Sequence, residues 1–284
     1  MDPARVLAPD VTVITVVRNA EKTLERTIQS VLEQTHPSLD HLIMDGRSTD
    51  GTLDILRKYQ HCVRWISEPD RGLYDAMNKG LGLVVNPESY VIFLNADDVF
   101  HAPDAVANVL ALSRGEEFLY GRLERQDETL RTADVIGAPI TSKHLLYSMR
   151  CHHQAIFCRR RVFDSIGAFN LEYRVAADYD WVIRAFQNDA IAKRFVPVIV
   201  ASMTMGGMSD RSYLHGIWER RRVVRRRYSA VDYRKFWIYS LFGDYLRFYV
   251  QRVLRRVGLL RAARSLKAIV RRASAGGGTA PRSG

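Results

Sequence analysis

Val11–Val17 (VTVITVV) is the stretch that decides the fold, because a short, β-branched and nearly continuous apolar run is typical of a buried parallel strand. Three more runs of this kind follow it, at His41–Asp45, Val63–Ile66 and Tyr90–Leu94. Segments with apolar residues at helical spacing separate them. Strands that alternate with helices in this way predict βαβ units and a mainly parallel sheet.

Polar residues stand at the ends of these predicted strands, where sheets of this type bind their ligands. Thr15 and Asn19 lie at or just past the end of the first strand, Asp45 ends the second, and Asp97-Asp98 follow the fourth. We therefore expect them to converge on one edge of the sheet. Asn19 is also expected to cap the helix that follows it.

The adjacent carboxylates of Asp97 and Asp98 are the strongest local signal of chemistry. Carboxylate oxygens suit Mg²⁺ or Mn²⁺, and such an ion can neutralise a diphosphate leaving group. The competing interpretation is a turn or a helix cap, both of which favour Asp. Asp45 has the same two interpretations, since it can accept hydrogen bonds from a nucleotide or close a turn.

The segment Glu68–Gly80 (EPDRGLYDAMNKG) runs into a predicted helix start, whose backbone N–H groups attract anions. Arg71 and Lys79 are candidate phosphate partners, although a solvated helix face explains them equally well. Neither a GxxxxGK[ST] loop nor a GxGxxG fingerprint is present, which disfavours P-loop and dinucleotide-binding folds.

Two further clusters are ambiguous from the residues alone. Asp178 stands near the start of a predicted helix, where it can serve as a general base or simply stabilise the helix dipole. Cys151-His152-His153-Gln154 has too few ligands for structural zinc, and either histidine can be an ordinary core residue.

Composition excludes several classes of protein. The 284 residues are 47% hydrophobic and 26% charged, which is globular and excludes a mainly disordered, collagen-like or disulfide-stapled chain. The three cysteines, Cys62, Cys151 and Cys158, contain no CxxC pair and favour a reducing compartment. Neither a secretory signal nor a transmembrane run of about 18 apolar residues is predicted.

The net charge of +11 is concentrated at the C-terminal end. Residues 211–284 carry 19 Lys and Arg against 3 acids, while residues 1–210 carry 23 against 28. We predict a domain over 1–210, a basic amphipathic helical extension over 211–272 and a disordered tail over 273–284. Interleaved arginines and aromatic residues make the extension a candidate for binding an anionic membrane. A helical cap on the domain and a nucleic-acid-binding surface are the alternatives.

Taken together, the motifs resemble those of family 2 glycosyltransferases, which share the GT-A fold, a Rossmann-like nucleotide-binding mixed sheet flanked by helices. The resemblance spans about 195 residues in the family's order. The matching stretches are 14–35 (ITVVRNAEKTLERTIQSVLEQT), 42–56 (LIMDGRSTDGTLDIL), 67–81 (SEPDRGLYDAMNKGL), 93–100 (FLNADDVF), 151–170 (CHHQAIFCRRRVFDSIGAFN), 175–184 (VAADYDWVIR) and 206–209 (GGMS). DGRSTDGT and DRGLYDAMNKG resemble the branch that builds bacterial exopolysaccharides and cell-envelope glycolipids.

The resemblance implies a role for each matching residue. Asp178 matches the base of inverting members, and Asp98 matches the acid that binds Mn²⁺ or Mg²⁺. The nucleotide-binding positions are matched by Thr15, Asn19, Asp45, Asp75, Asn78, Lys79 and Asp97. His153 and Gln154 match a recurring segment near the acceptor side.

The function implied is an inverting, metal-dependent hexosyltransferase that moves a sugar from a nucleoside-diphosphate sugar, with UDP the expected nucleotide, to a hydroxyl of a glycan or lipid-linked acceptor. The expected location is cytoplasmic and peripheral on the inner face of the cell membrane. One rival is a sugar-nucleotide nucleotidyltransferase, but its Gly-rich basic loop is absent after the first strand. The other is a basic nucleic-acid-binding protein, which the net acidic domain disfavours.

Overall fold

A computed structural model describes residues 9–127, 129–204 and 213–240 of the chain. The chain divides into two compact units, one ending at Ser229 and the other beginning at Ala230. The strands of the first unit are β1 (Val11–Val17), β2 (Leu39–Asp45), β3 (Arg64–Ser67), β4 (Tyr90–Phe93), β5 (Val99–Phe100), β6 (Phe118–Gln126), β7 (Thr132–Ile136), β8 (Ile156–Arg159) and β9 (Lys193–Thr204). Its helices are α1 (Leu24–Leu32), α2 (Thr52–Lys58), α3 (Leu73–Gly82), α4 (Ala105–Ala111), α5 (Ser142–Leu145), α6 (Arg160–Ile166), α7 (Ala177–Gln187) and α8 (Tyr213–Arg227). The described part of the second unit is the helix α9 (Ala230–Ser240).

The described strands form one mixed sheet in the order β3-β2-β1-β4-β8-β6-β9-β5, with β7 paired to β6. The first four strands are parallel, as the sequence predicts. Beyond β4 the directions mix, because β8 runs antiparallel to both β4 and β6, whereas β6 and β9 are parallel. A mixed α/β sheet flanked by helices confirms the predicted fold class.

All seven residues of β1 are buried, which accounts for the continuous apolar run in its sequence. Helix α3 approaches β1 and β2 closely at Gly80, where a Cβ atom would lie 2.8 Å from Cγ2 of Ile14 and 3.1 Å from Cγ of Met44. A larger residue at this position would therefore push the helix away from the strands.

The start of α1 differs from the prediction. The helix begins at Leu24 with Thr23 at its N-cap position, so the expectation that Asn19 caps it is wrong. Asn19 instead adopts the left-handed conformation at φ 53° and bonds to the loop after β2. A turn over the intervening residues separates the strand from the helix.

Helix α8 lies within the first unit, which ends at Ser229, whereas its sequence predicted that it would belong to an extension beginning at residue 211. Its arginines bind acids of that unit: Arg227 Nε donates to Asp180 Oδ1 at 2.8 Å, and Arg226 pairs with Glu172. The charge of α8 is therefore partly neutralised by the domain. The predicted disordered tail, 273–284, lies outside the described residues, as does the GGMS stretch.

Among the described helices, none is both long enough and apolar enough to cross a membrane.

Candidate active site

Asp45 and the loop after β4 lie at the carboxyl ends of β2 and β4, the two parallel strands on either side of β1. Asp45, the last residue of β2, pairs in register with Val17 of β1. On the other side of β1, the backbone N–H of Leu94, just after β4, donates to the carbonyl of Ile14 at 3.0 Å. The residues that follow these strands therefore share one edge of the sheet, where ligands bind in folds of this class.

The carboxylate of Asp45 is buried and fully engaged. It accepts hydrogen bonds from the hydroxyl and backbone N–H of Ser48 and from the hydroxyl of Ser67 at 2.6 Å. Asn19 ties the first loop to the same region, because its Oδ1 accepts from the backbone N–H of Thr49 at 2.8 Å. These contacts hold the loops after β1 and β2 together.

Thr15 points into the protein rather than into an open cleft. It is fully buried, and its hydroxyl bonds to Nε2 of His41 at 2.9 Å. Burial lowers the pKa of His41 to about 3, so this pair is uncharged and serves the packing of β1 against β2. A direct contact between Thr15 and a nucleotide stays a prediction.

The DRGLYDAMNKG segment forms the start and body of α3, and several of its polar groups already have protein partners. Asp75 pairs with Arg71 at 2.8 Å. Lys79 pairs with Glu68 at 2.8 Å. These contacts account for the two cations that the sequence offered as phosphate partners.

Asn78 joins α3 to a distant segment of the same chain. Its amide donates to the carbonyl of Phe169 at 2.8 Å and accepts from the N–H of the same residue at 3.0 Å. Both functional atoms of the side chain are thereby used, and a nucleotide contact at Asn78 stays a prediction.

The acid loop, Asn95–Asp98, is fixed to α1 through its backbone. Arg26 donates to the carbonyl of Asp97 at 2.9 Å, and the hydroxyl of Thr27 donates to the carbonyl of Asp98 at 2.8 Å. Burial, with a contribution from Asp97, raises the pKa of Asp98 to about 7. Burial also raises the pKa of Asp97. The protein alone therefore stabilises the charge of this pair poorly.

Three buried acceptor oxygens around Asp98 have no hydrogen-bond partner among the described residues. They are Oδ1 of Asp98, Oδ1 of Asn95 and Oε1 of Gln154. Unpaired buried acceptors are costly, and a hard cation is the partner that such oxygens favour. No group of three or more His, Cys, Asp or Glu suited to a metal occurs in the described part of the chain. The residues present thus fit an ion that takes few protein ligands and completes its shell with substrate phosphate.

Asp178 lies in the first turn of α7 and is held by three donors. The Tyr74 hydroxyl and the Tyr179 N–H both donate to its Oδ1, at 3.0 and 2.8 Å, while Nδ1 of His153 contacts its Oδ2 at 3.2 Å. Burial would raise the pKa of Asp178, but the hydrogen bonds from His153 and Tyr74 outweigh it and lower the pKa. The carboxylate form, which a general base requires, is therefore the favoured one.

A short 3₁₀ turn, His153–Ala155, connects Asp178 to the acid loop. His153 contacts Asp178, and the next residue, Gln154, donates through Nε2 to Oδ2 of Asp98 at 3.1 Å. Nε2 of His153 also meets the amide of Asn95 at 3.3 Å. The structure thus brings Asp98 and Asp178 into one connected site, and Asp45 lies farther along the same edge.

Sequence reasoning missed the residues that hold the start of α7. Glu219 of α8 is buried, and its carboxylate accepts from the backbone N–H groups of Arg174, Val175 and Ala176 at 2.7–2.9 Å. It is the single acid in a helix with six arginines, which was the available signal. Tyr74 lies inside a recognised motif, but nothing local indicated that it reaches Asp178.

A mixed sheet flanked by helices, with two connected acids at its ligand-binding edge, agrees with the GT-A class of fold. The model of the family "Glycosyl transferase family 2" matches residues 12–178, and the chain belongs to this family. A PGL/p-HBAD biosynthesis glycosyltransferase of Mycobacterium tuberculosis is 36% identical over 211 residues, which cover 72% of this chain and 80% of that protein. The chain is thus a glycosyltransferase.

Solved structures share the fold. S. aureus TarS 1–349 in complex with UDP-GlcNAc matches with a TM-score of 0.59 and 16% identity, over 80% of this chain and 70% of that chain. The mannosyltransferase PcManGT from Pyrobaculum calidifontis, in complex with GDP-Man and Mn²⁺, matches with a TM-score of 0.59 and 18% identity, over 97% and 78%. This chain spans 44% of a longer TarS chain.

Proposed function

We propose that this glycosyltransferase inverts the anomeric centre of a nucleoside-diphosphate sugar and transfers the sugar to an acceptor hydroxyl, with Asp178 as general base and Asp98 as metal ligand. The connection from Asp98 through Gln154 and His153 to Asp178 carries the proposal. A base and a metal-binding acid must both reach one sugar, and contacts from two consecutive residues support a shared site for them.

Asp178 would take the proton of the acceptor hydroxyl as its oxygen attacks the anomeric carbon. The nucleoside diphosphate leaves from the opposite face, so a single displacement inverts the configuration. Hydrogen bonds from Tyr74 and His153 favour the ionised carboxylate that accepts this proton.

Asp98 is the proposed ligand for Mn²⁺ or Mg²⁺, with Asp97 beside it. When bound, the ion would supply positive charge for the diphosphate leaving group. The unpaired buried oxygens around Asp98 support this assignment. Asp45 and Asn19, and with them Thr15, Asp75, Asn78 and Lys79, are proposed to shape the nucleotide end of the site, largely by holding its loops.

A UDP-sugar is the proposed donor. The structural neighbours are complexes with UDP-GlcNAc and GDP-Man, so both nucleotides belong in a direct comparison. A glycan or lipid-linked acceptor in the cell envelope is proposed because the Mycobacterium tuberculosis relative is named for PGL/p-HBAD biosynthesis. No feature of the site favours a nucleotidyltransferase or specific nucleic-acid binding.

The proposed place of action is the inner face of the cell membrane, reached through the basic residues after the first unit. In α9, exposed Val231, Trp237 and Ile238 accompany Arg234 and Lys235. Exposed apolar residues mixed with basic ones suit an anionic lipid surface.

Vesicle flotation tests this membrane proposal with the full chain. We expect vesicles containing phosphatidylglycerol to float the protein. Replacing Val231, Trp237 and Ile238 with Ser should weaken flotation, whereas the control Val85→Ser on the first unit should not. Equal flotation of both variants would count against α9 as the contact.

The transfer proposal is tested in two measurements. Thermal unfolding with UDP, GDP and dTDP, each with and without Mn²⁺, identifies the nucleotide, because a ligand of the native state raises the apparent stability. Proton NMR of the product made from the matching donor then gives the anomeric configuration. A product of inverted configuration, formed much more slowly by Asp178→Asn, supports the proposal, and a product of retained configuration contradicts it.

A further inference from the structure

The 3₁₀ turn His153–Ala155 is built into the core, so its side chains have fixed directions. His153 is 9% exposed, Gln154 4% and Ala155 1%. The turn closes with the N–H of Ala155 donating to the carbonyl of His152 at 2.9 Å, and β8 begins immediately after it. Buried side chains on a short closed turn cannot change their separation without disturbing the core.

We propose that His153 and Gln154 are paired positioning residues, through which one turn fixes the catalytic base Asp178 relative to the metal-binding acid Asp98. This inference rests on the proposed roles of those two acids. Neither His153 nor Gln154 needs to touch the sugar for it to hold. Because His153 and Gln154 are consecutive, the backbone between them sets the distance between the base and the metal-binding acid.

His153 controls the orientation of the Asp178 carboxylate. Tyr74 and the Tyr179 N–H both bind Oδ1, whereas Oδ2 receives its hydrogen bond from His153. Donors on both oxygens stop the carboxylate from rotating. The imidazole is itself oriented by the side-chain amide of Asn95, which lies 3.3 Å from Nε2.

Gln154 controls the orientation of the Asp98 carboxylate. Its Nε2 contacts both Oδ2 of Asp98 at 3.1 Å and the sulfur of Met203 at 3.4 Å. The amide is therefore fixed from two sides, and Oδ1 of Asp98 is the oxygen left without a hydrogen-bond partner among the described residues. Partners that orient metal-binding carboxylates in this way typically contribute 10–100-fold to metal affinity.

Variants of His153 and Gln154 are expected to have different defects, in turnover and in metal binding respectively. A general loss of structure would affect both properties in both variants. His153→Phe keeps a ring but removes the donor, and we expect kcat to fall about 10²-fold while the donor KM changes by less than about threefold. His153→Asn returns an amide near the position of Nδ1, and it should recover about tenfold of that loss.

For Gln154 the measurement is Mn²⁺ binding in the presence of UDP, followed through the electron paramagnetic resonance signal of the free ion. Gln154→Met keeps the length of the side chain but removes the amide, and we expect the Kd for Mn²⁺ to rise about tenfold. His153→Phe should leave that Kd within about threefold, because the carboxylate that His153 contacts is Asp178 and not Asp98.

Thermal unfolding of each variant measures how much protein is folded. The inference is overturned if His153→Phe keeps its kcat, if Gln154→Met keeps its Mn²⁺ affinity, or if both variants lose both properties in proportion to lost folded protein. Asp178→Asn and Asp98→Ala are measured in parallel. If these two keep turnover and metal binding, the proposed function itself fails, whereas if they lose them and the turn variants do not, only the positioning inference fails.

Discussion

Two buried carboxylates at the same edge of the sheet are treated in opposite ways by the protein. Asp45 is 2% exposed, and each of its oxygens accepts from a serine, Ser48 or Ser67. Asp98 is 1% exposed, and one of its oxygens has no hydrogen-bond partner among the described residues. The two carboxylates are thus equally buried, but only that of Asp45 has a hydrogen-bond partner for each oxygen.

This difference separates an acid whose hydrogen-bond partners all lie within the protein from one that leaves an oxygen for a ligand. A satisfied carboxylate contributes to stability through its hydrogen bonds, whereas an unsatisfied buried one lowers stability unless a ligand completes it. Asp45 thus stabilises the loops that shape the nucleotide end. Asp98 is the acid that we propose to be completed by a metal ion.

The largest effect is expected on turnover, when the proposed base Asp178 is replaced. Asp178→Asn should lower turnover by roughly 10²–10⁴, the usual contribution of a general base, with donor binding nearly unchanged. Steady-state kinetics and nucleotide titration measure the two quantities. Asp164→Asn, at an exposed acid of α6, is the control that should leave both unchanged. Near-normal turnover of Asp178→Asn would show that Asp178 is not the general base.

Replacing Asp98 or Asp45 with Asn is expected to have opposite effects on the stability of the metal-free protein. Because burial raises the pKa of Asp98 from 3.8 to about 7, the metal-free native state binds its proton more tightly than the unfolded state does. Wild-type protein should therefore lose stability relative to Asp98→Asn as the pH rises from about 4 to about 7, by up to about 4 kcal/mol. Urea unfolding in a chelator across this range measures the difference.

Asp45→Asn is the matched variant for that experiment. It leaves the hydroxyls of Ser48 and Ser67 with a poorer acceptor, and it should lower the unfolding free energy by about 2–3 kcal/mol. If Asp98→Asn proves as destabilising as Asp45→Asn at pH 7, the distinction between the two carboxylates is wrong.

A smaller effect is expected at Glu219, which supports Asp178 from a distance. Glu219→Ala leaves three backbone N–H groups before α7 without their acceptor and should lower the unfolding free energy by about 2 kcal/mol. Turnover should fall as well, because the start of α7 carries Asp178. Chemical denaturation and kinetics on one preparation test both. Unchanged turnover would show that the base does not depend on this support.

The smallest effect concerns Arg47, which lies just after Asp45 with φ 55°, a left-handed conformation that disfavours most side chains. Arg47→Gly should raise the unfolding free energy by about 1 kcal/mol. A lower unfolding free energy would mean that contacts of the arginine side chain stabilise the protein by more than the backbone strain destabilises it.

Much of the architecture was predictable because it depends on local pattern. Apolar runs gave the parallel strands, and the position of Asp97-Asp98 after β4 gave the ligand-binding edge. Helix starts were less predictable, and Asn19 shows why, since its side chain found a partner in the next loop rather than in the helix that follows it.

The internal support of the site was not predictable, because it comes from contacts between distant parts of the chain. Tyr74 meets Asp178 across 104 positions, and Asn78 meets Phe169 across 91. Glu219 reaches the start of α7 from a helix whose arginines dominate its composition. No local period or spacing encodes such pairs.

Calorimetric titration of UDP into wild-type protein and into Asp98→Asn, each with and without Mn²⁺, measures whether Asp98 binds the metal ion. We expect Mn²⁺ to tighten UDP binding to the wild type and to have no effect on the variant, while UDP alone binds both equally. The same gain from Mn²⁺ in both proteins would contradict this expectation.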